Sequence, residues 1–214
     1  KRKRGSKTYL NIVTAFDIEA TRLKDIEQAF MYIWQWQIGP DITVVGRTWE
    51  EFFDLMEKIS LRLQGIAWLV IYVHNLSYEF QFLKGRYHFK KEEVFANDKR
   101  KVLKCEMMDC FEFRCSYQLT NMSLDAYLKK MNVPNKKLTY DYAKIRYPWT
   151  ELSDAELDYC INDVRGLVQA LMIQFRADGD TVQTVPLTST GYPRRDAKHA
   201  MRQYNFMQLH DKDI

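Results

Sequence analysis

Nowhere in the 214 residues does an apolar run approach the roughly 20 residues that a bilayer-spanning helix needs, and no secretory leader is visible. A membrane function is therefore not expected. Cysteine is scarce: Cys105, Cys110, Cys115 and Cys160 form no C-x-x-C pair, and no His/Cys set has zinc spacing. Three of the four repeat every five residues, which matches no metal template. Reduced thiols in a cytoplasmic protein are the simplest account. No internal repeat is present. Disorder is excluded as well, because 46% of the residues are hydrophobic and 14% aromatic.

The net charge is only +4, yet the basic residues gather in short runs. Lys1–Arg4 opens the chain, Lys90-Lys91 and Lys99-Arg100-Lys101 flank a short acidic stretch, and Lys136-Lys137 and Arg194-Arg195 follow. Such runs suit an anionic partner, although solvated faces carry them more often. The chain begins with Lys rather than Met, which points to a processed or truncated piece of something longer.

Hydrophobic periodicity outlines one α/β layer with a mixed sheet. Tyr9 to Phe16 is β-branched and aromatic and reads as a buried strand. Residues 29–38 and 42–45, joined by Gly39-Pro40-Asp41, complete an antiparallel meander. Thr48-Trp49-Glu50-Glu51 is a capping box that opens a helix ending at Gly65. Trp68 to Val73 is a fully buried strand, and the residues from His74 to Gly85 look helical. Shorter strands are expected at 94–95, 102–107 and 111–117, a short helix from Ser123, and a loop over 134–148. Ser153-Asp154-Ala155-Glu156 caps the clearest helix, in which Leu157, Ile161, Val164, Val168, Leu171 and Phe175 face the core. Beyond Gly179 the pattern dissolves. The expected division is a basic arm over 1–8, a domain over 9–178, and a linker or partly detached segment over 179–214.

Three groups of polar residues could do chemistry. Asp17 and Glu19 end the first strand and point to the same face, where two carboxylates repel and lose hydration unless a cation joins them. Mg²⁺ or Mn²⁺, which prefer oxygen ligands, are the natural candidates. On spacing alone, a strand end running into solvent is the simpler account. Asn75-Leu76-Ser77-Tyr78-Glu79 begins where the buried strand stops, the usual place for ligand sites in open α/β sheets. Tyr159 and Asp163 lie four apart on the closing helix, on a face separate from the core stripe. Alone, this pair reads as a surface pair.

In order and spacing, Asp17-x-Glu19, Asn75-x-x-Tyr78-Glu79 and Tyr159-x-x-x-Asp163 together resemble the three exonuclease motifs of DNA polymerase proofreading domains. The protein-primed family B polymerases of bacteriophages and related elements are the most similar. The resemblance covers about residues 9 to 178 and implies a ribonuclease H-like fold, a mixed sheet flanked by helices. It implies a 3′→5′ exonuclease acting on single-stranded DNA ends with two divalent metal ions, Mg²⁺ or Mn²⁺. Asp17 would bridge the metals, Glu19 and Asp163 would complete the site for the attacking water, and Glu79 would serve the leaving-group metal. Tyr159 would orient the nucleophile, and Lys137, followed by Tyr140-Asp141-Tyr142, matches the family's catalytic lysine. Tyr72, His74, Asn75, Tyr78 and Phe82 match ligands of the single strand, as do Ser123 and Leu124 of a Ser/Thr-Leu motif. Tyr72, Phe82 and His74 each also have a plain structural reading as core or packing residues.

One position departs from the family: its second motif normally ends in Asp, where this chain has Glu79. The extra methylene moves the carboxylate by about one C–C bond and puts the geometry of the second metal in question. The family's palm motifs are absent. The resemblance therefore implies the N-terminal part of a longer polymerase in a bacterial host cell, with the rest of that polymerase, and a terminal protein, as partners. Residues 187–192 resemble the segment by which phage members leave the exonuclease for the polymerising half. Two other readings stay open on the sequence: a free-standing exonuclease of the same fold, and a catalytically weak module that binds single-stranded DNA.

Overall fold

In the computed structural model, residues 7–23, 27–98, 101–134 and 140–203 are described. The expected meander is strands β1 (Thr14–Leu23), β2 (Gln28–Ile38) and β3 (Ile42–Gly46), paired antiparallel, although β1 begins at Thr14 rather than Tyr9 and runs on past Asp17 and Glu19. Helix α1 (Trp49–Leu63) follows, its N-terminus closed by the Thr48/Glu51 capping box. Strand β4 (Leu69–Val73) runs parallel to β1, and helix α2 (Leu76–Leu83) leaves its end. Strands β5 (Val94–Asp98), β6 (Lys101–Met107) and β7 (Phe111–Cys115) return the chain so that β7 lies parallel to β4. Short helices α3 (Ser116–Thr120) and α4 (Leu124–Lys130) precede the long helix α5 (Asp154–Asp178) and helix α6 (Gly191–Gln203). The seven strands form one mixed sheet in the order β3-β2-β1-β4-β7-β6-β5.

Alternation along the central strands divides the core between the two faces. Phe16, Ile18, Ile71 and Val73 pack with Phe52 and Met56 of α1 and Leu76 and Leu83 of α2. Ala15, Val70 and Tyr72 point the other way, into a second cluster with Leu128 of α4 and Val164, Val168, Leu171 and Phe175 of α5. Four residues of the expected α5 stripe are fully buried; Leu157 and Ile161 are only partly so. At the edge strand, Gly46 is required by a close approach, since a Cβ there would fall 2.3 Å from the Trp34 indole.

Two expectations are corrected. The strand expected to run through Tyr117 stops at Cys115, and Ser116–Thr120 is helical. Ser116 is diverted because its Oγ donates to the Val73 carbonyl at 3.3 Å and pairs with His74 Nδ1 at 3.0 Å. The chain after Gly179 is also not bare of structure. Val182 and Val185 are buried in the second cluster, the Val182 carbonyl accepts from Arg114 Nη1 at 3.0 Å, and α6 follows. No hydrophobic period announces this packing, since each valine stands alone among Thr, Gln and Pro. Residues 140–148 form the expected loop. The Lys1–Arg4 run, Lys99-Arg100 and Lys136-Lys137 lie outside the described residues. Among the described residues, no helix is long and apolar enough to cross a membrane.

Candidate active site

The parallel register pairs Ala15 with Tyr72, so Asp17 lies level with the point where β4 ends and α2 begins. Asp17 and Glu19 share the face of β1 that α5 covers, and α5 carries Asp163 there. A register shift between Glu19 and Ala20 marks a bulge beside them, a common way to re-aim a side chain at a site. From β4 the chain turns through Asn75, whose φ of 87° is the left-handed conformation that asparagine tolerates better than most residues. That turn starts α2 and brings Glu79, 3% exposed, in beneath β1.

Electrostatics bind these four residues into one cluster. Burial, then repulsion from Asp163, raises Asp17 to about 7. Burial and the charges of Asp17 and Asp163 raise Glu19 to about 8, against the opposing pull of Arg146. Glu79 is pushed well up by burial, by Asp17 and by a hydrogen bond to Asp17, and burial also raises Asp163. Two carboxyl groups can hydrogen-bond to each other only when one is protonated. Glu79 Oε2 is buried with no partner at all. Opposite Asp17 on β2 is the fully buried Gln35, whose amide interacts with the Cys160 thiol.

As the side chains stand, no three His, Cys, Asp or Glu among the described residues are arranged to hold a metal ion. The donor chemistry nonetheless fits hard divalent cations: only oxygen ligands, excess negative charge in a poorly solvated place, and an orphaned carboxylate oxygen. Burial and mutual repulsion of these carboxylates disfavour their charge, which a cation would offset. A stability prediction follows. Asp17 and Glu19 bind more protons folded than unfolded between their ordinary values near 4 and their raised values of about 7 and 8. The destabilisation is absent below pH 4, grows through that window, and is complete above it. In EDTA the melting temperature should fall between pH 5 and 9, less steeply in Asp17→Asn, and Mg²⁺ should recover much of the loss at pH 8. Parallel pH profiles for the two proteins would contradict the cluster.

Tyr159 stands over the same site. Its ring stacks on Tyr140 with centroids 4.2 Å apart, and its hydroxyl pairs with that of Tyr142. Burial, that hydrogen bond and the nearby Glu19 and Asp163 raise its pKa, so it stays a neutral hydroxyl. The loop bearing these tyrosines is pinned by Arg146, which sequence reasoning missed. Arg146 is 2% exposed, exchanges backbone bonds with Thr21 Oγ1 at 2.7 and 3.0 Å, and ion-pairs with Glu156 at 2.7 Å. Its guanidinium lies 4.3 Å from the Tyr140 ring. A lone arginine in a loop gives no sequence signal, because Thr21 is remote in the chain and the spacing of Glu156 announces only its role in the α5 cap. Lys137 lies outside the described residues.

The residues expected to touch a single strand divide in two. Tyr78 is exposed and packs edge-on against Phe82 at 5.3 Å, beside the carboxylates. His74 is partly buried, pushed down to about 4 by burial, and packs against the exposed Tyr117 at 5.8 Å. Asn75 and Ser123 are exposed, and Leu124 is partly buried against the second core cluster. Ser123 also caps α4 by accepting from Ala126 N at 3.3 Å. Tyr72 is different: it is 2% exposed, with its ring against Phe175, so the structure places it in the core.

A seven-stranded mixed sheet between helices, with acidic side chains from a central strand and two helices meeting at its end, defines a ribonuclease H-like fold. No family model matches the chain, and no curated protein matches it in sequence. Among solved structures, the Phi29 DNA polymerase complexed with single-stranded DNA is similar over 92% of this chain, with a TM-score of 0.75 and 15% identity. The same polymerase with primer-template DNA gives a TM-score of 0.73, and its orthorhombic crystal form 0.61. At this identity the likeness concerns the fold alone. The chain spans 36% of the length of the polymerase in the first two structures.

Proposed function

We propose that this chain is a metal-dependent 3′→5′ exonuclease acting on single-stranded DNA, as the editing part of a protein-primed family B DNA polymerase. The observation that carries the reading is the convergence of Asp17, Glu19, Glu79 and Asp163 at the end of the sheet, with charge that only protons or cations can balance. The similarity to a DNA polymerase solved with single-stranded DNA supports the substrate class.

Asp17, Glu19, Glu79 and Asp163 would hold two divalent cations, which supply an acidified water and neutralise charge on the phosphate and the departing 3′-oxygen. The chain's residues do the remainder. Tyr159, kept neutral and fixed by Tyr140 and Tyr142, orients the attacking water through its hydroxyl. Tyr78 and Phe82 offer ring faces that accept any base, as an editing site must. His74, held neutral and bonded to Ser116, shapes the wall of the strand path and carries no charge to it. Lys137 would offset phosphate charge.

Incubating a single-stranded DNA oligonucleotide with Mg²⁺, with Mn²⁺ and with EDTA tests the reading. Release of nucleotides only with a cation supports it, and binding without cation-dependent product selects the weak binding module instead. Glu79→Asp, which restores the family's residue, should retain cleavage within about tenfold of the parent rate, since it keeps the ligand type and shortens the reach by one methylene. Complete loss of cleavage in that variant, by the same assay, would give Glu79 a geometry particular to this chain.

A further inference from the structure

Beside the carboxylate site, residues of β2, the start of α1, α2 and the 140–150 loop enclose an open cavity of about 510 Å³, a size typical of ligand sites. Its lining includes Phe30, Phe82, Tyr147 and Trp149, with Arg86 and Glu50 at its polar margin. Three of these rings form a ladder. Phe30 and Tyr147 stack at 5.3 Å and 12°, and Tyr147 and Trp149 at 4.9 Å and 4°. The ladder ends without a partner: Trp149 is 79% exposed. Trp34, Trp36 and Trp49, by contrast, are buried.

This ladder is rigidly built. Arg47 donates through Nη2 to the carbonyls of Tyr147 at 3.0 Å and Thr150 at 2.7 Å, and Tyr147 N donates to Thr150 Oγ1 at 2.8 Å. Anchoring both sides of Trp149 while leaving its ring in water is costly for a large apolar surface and useful for a stacking face. The cavity is continuous with the candidate strand path, because Phe82 lines it and also packs on Tyr78 beside the carboxylates. Arg86 is exposed on its rim and makes no ion pair among the described residues.

We propose that the Phe30–Tyr147–Trp149 ladder is a base-stacking subsite for single-stranded nucleic acid: a nucleobase stacks on Trp149, with its phosphate toward Arg86 and away from Glu50. This rests on the single-strand reading of the neighbouring site and extends it to residues outside the three acidic motifs. A flat apolar ring takes any base, and Arg47 and Arg86 against the one Glu50 leave the lining net positive, which favours an anionic chain over a neutral ligand.

The test is binding measured in EDTA, so that cleavage plays no part. Oligothymidine should quench tryptophan emission, and an abasic deoxyribose-phosphate chain of the same length should not. Trp149→Ala should weaken oligothymidine binding roughly five- to a hundredfold and abolish the quenching, with Trp149→Phe close to the parent. Trp149 is exposed, so folding is not at stake in either variant. Unchanged affinity in Trp149→Ala, or equal quenching by the abasic chain, overturns the subsite alone; the exposed face would then belong to a protein surface. No binding by the parent protein overturns the subsite together with the single-strand reading, whereas the cation-dependent cleavage assay judges catalysis separately.

Discussion

Asp17→Ala is expected to lower DNA cleavage by roughly 10³-fold or more while the protein folds and keeps most of its affinity for single strands. The magnitude follows from what the position does. A cation stabilises transition-state charge by several kcal/mol, and each ~1.4 kcal/mol is a factor of ten in rate. Asp17 interacts with Glu79 and is repelled by Asp163, so under the proposed mechanism its loss would remove the ligand that the cation site shares. The same substitution should make the cation-free protein more stable at pH 8, since it deletes a carboxylate whose charged form the fold disfavours. Activity falling while stability rises separates a site residue from a structural one. Measured together, by nucleotide release and by melting in EDTA, the two changes must have opposite signs.

The second large effect is on stability, away from the carboxylates on the same face of the sheet. Glu112, with its side chain 2% exposed, accepts from Arg114 Nε at 2.7 Å, Tyr9 Oη at 2.8 Å, Lys7 Nζ at 3.1 Å and Lys104 Nζ at 3.2 Å. Burial works against its charge, but Arg114, Lys104 and Lys7 outweigh that and hold Glu112 down to about 2. Removing one partner from a buried charge pair costs roughly 3–5 kcal/mol, because the buried Arg114 is left without its counter-charge, while Lys7 and Lys104 keep Glu106. Glu112→Gln should therefore lower the unfolding free energy by about that amount at pH 7, read from a urea denaturation midpoint. A loss under about 1 kcal/mol would contradict the picture. The sign with pH is the reverse of the carboxylate site: a depressed carboxyl contributes stability above its ordinary value near 4.5, which disappears as pH falls toward about 2. The Arg114 bond to the Val182 carbonyl extends the damage to the segment after Gly179.

The parts of this molecule that could be read from sequence are those written in local spacing. Asp17-x-Glu19 is a strand-period pair, Tyr159 and Asp163 are a helix-period pair, and both capping boxes occur as expected at Thr48 and Ser153. A mixed sheet followed from the same periodicities, whereas its seven-strand order did not. What stayed hidden depends on contacts between distant residues. Arg146 meets Thr21 across 125 positions, Gln35 lies under Asp17 by strand register, and Val182 finds the core only because α5 brings it there. Tyr72 shows the limit from the other direction. Its place beside a motif suggested contact with a single strand, yet its ring is buried against Phe175, on the face of the sheet that also carries Asp17. A continuous apolar run does not reveal which of its side chains a following helix will cover.

The most direct test of the proposed activity is the polarity of its products. A single-stranded DNA labelled at its 5′ end is incubated with Mg²⁺ beside the Asp17→Ala protein and an EDTA control, and the lengths are resolved over time. The account predicts a ladder that keeps its label and shortens one nucleotide at a time from the 3′ end, seen only in the parent protein with cation. Immediate release of labelled mononucleotide, scattered internal cuts, or an equal ladder from Asp17→Ala would contradict it.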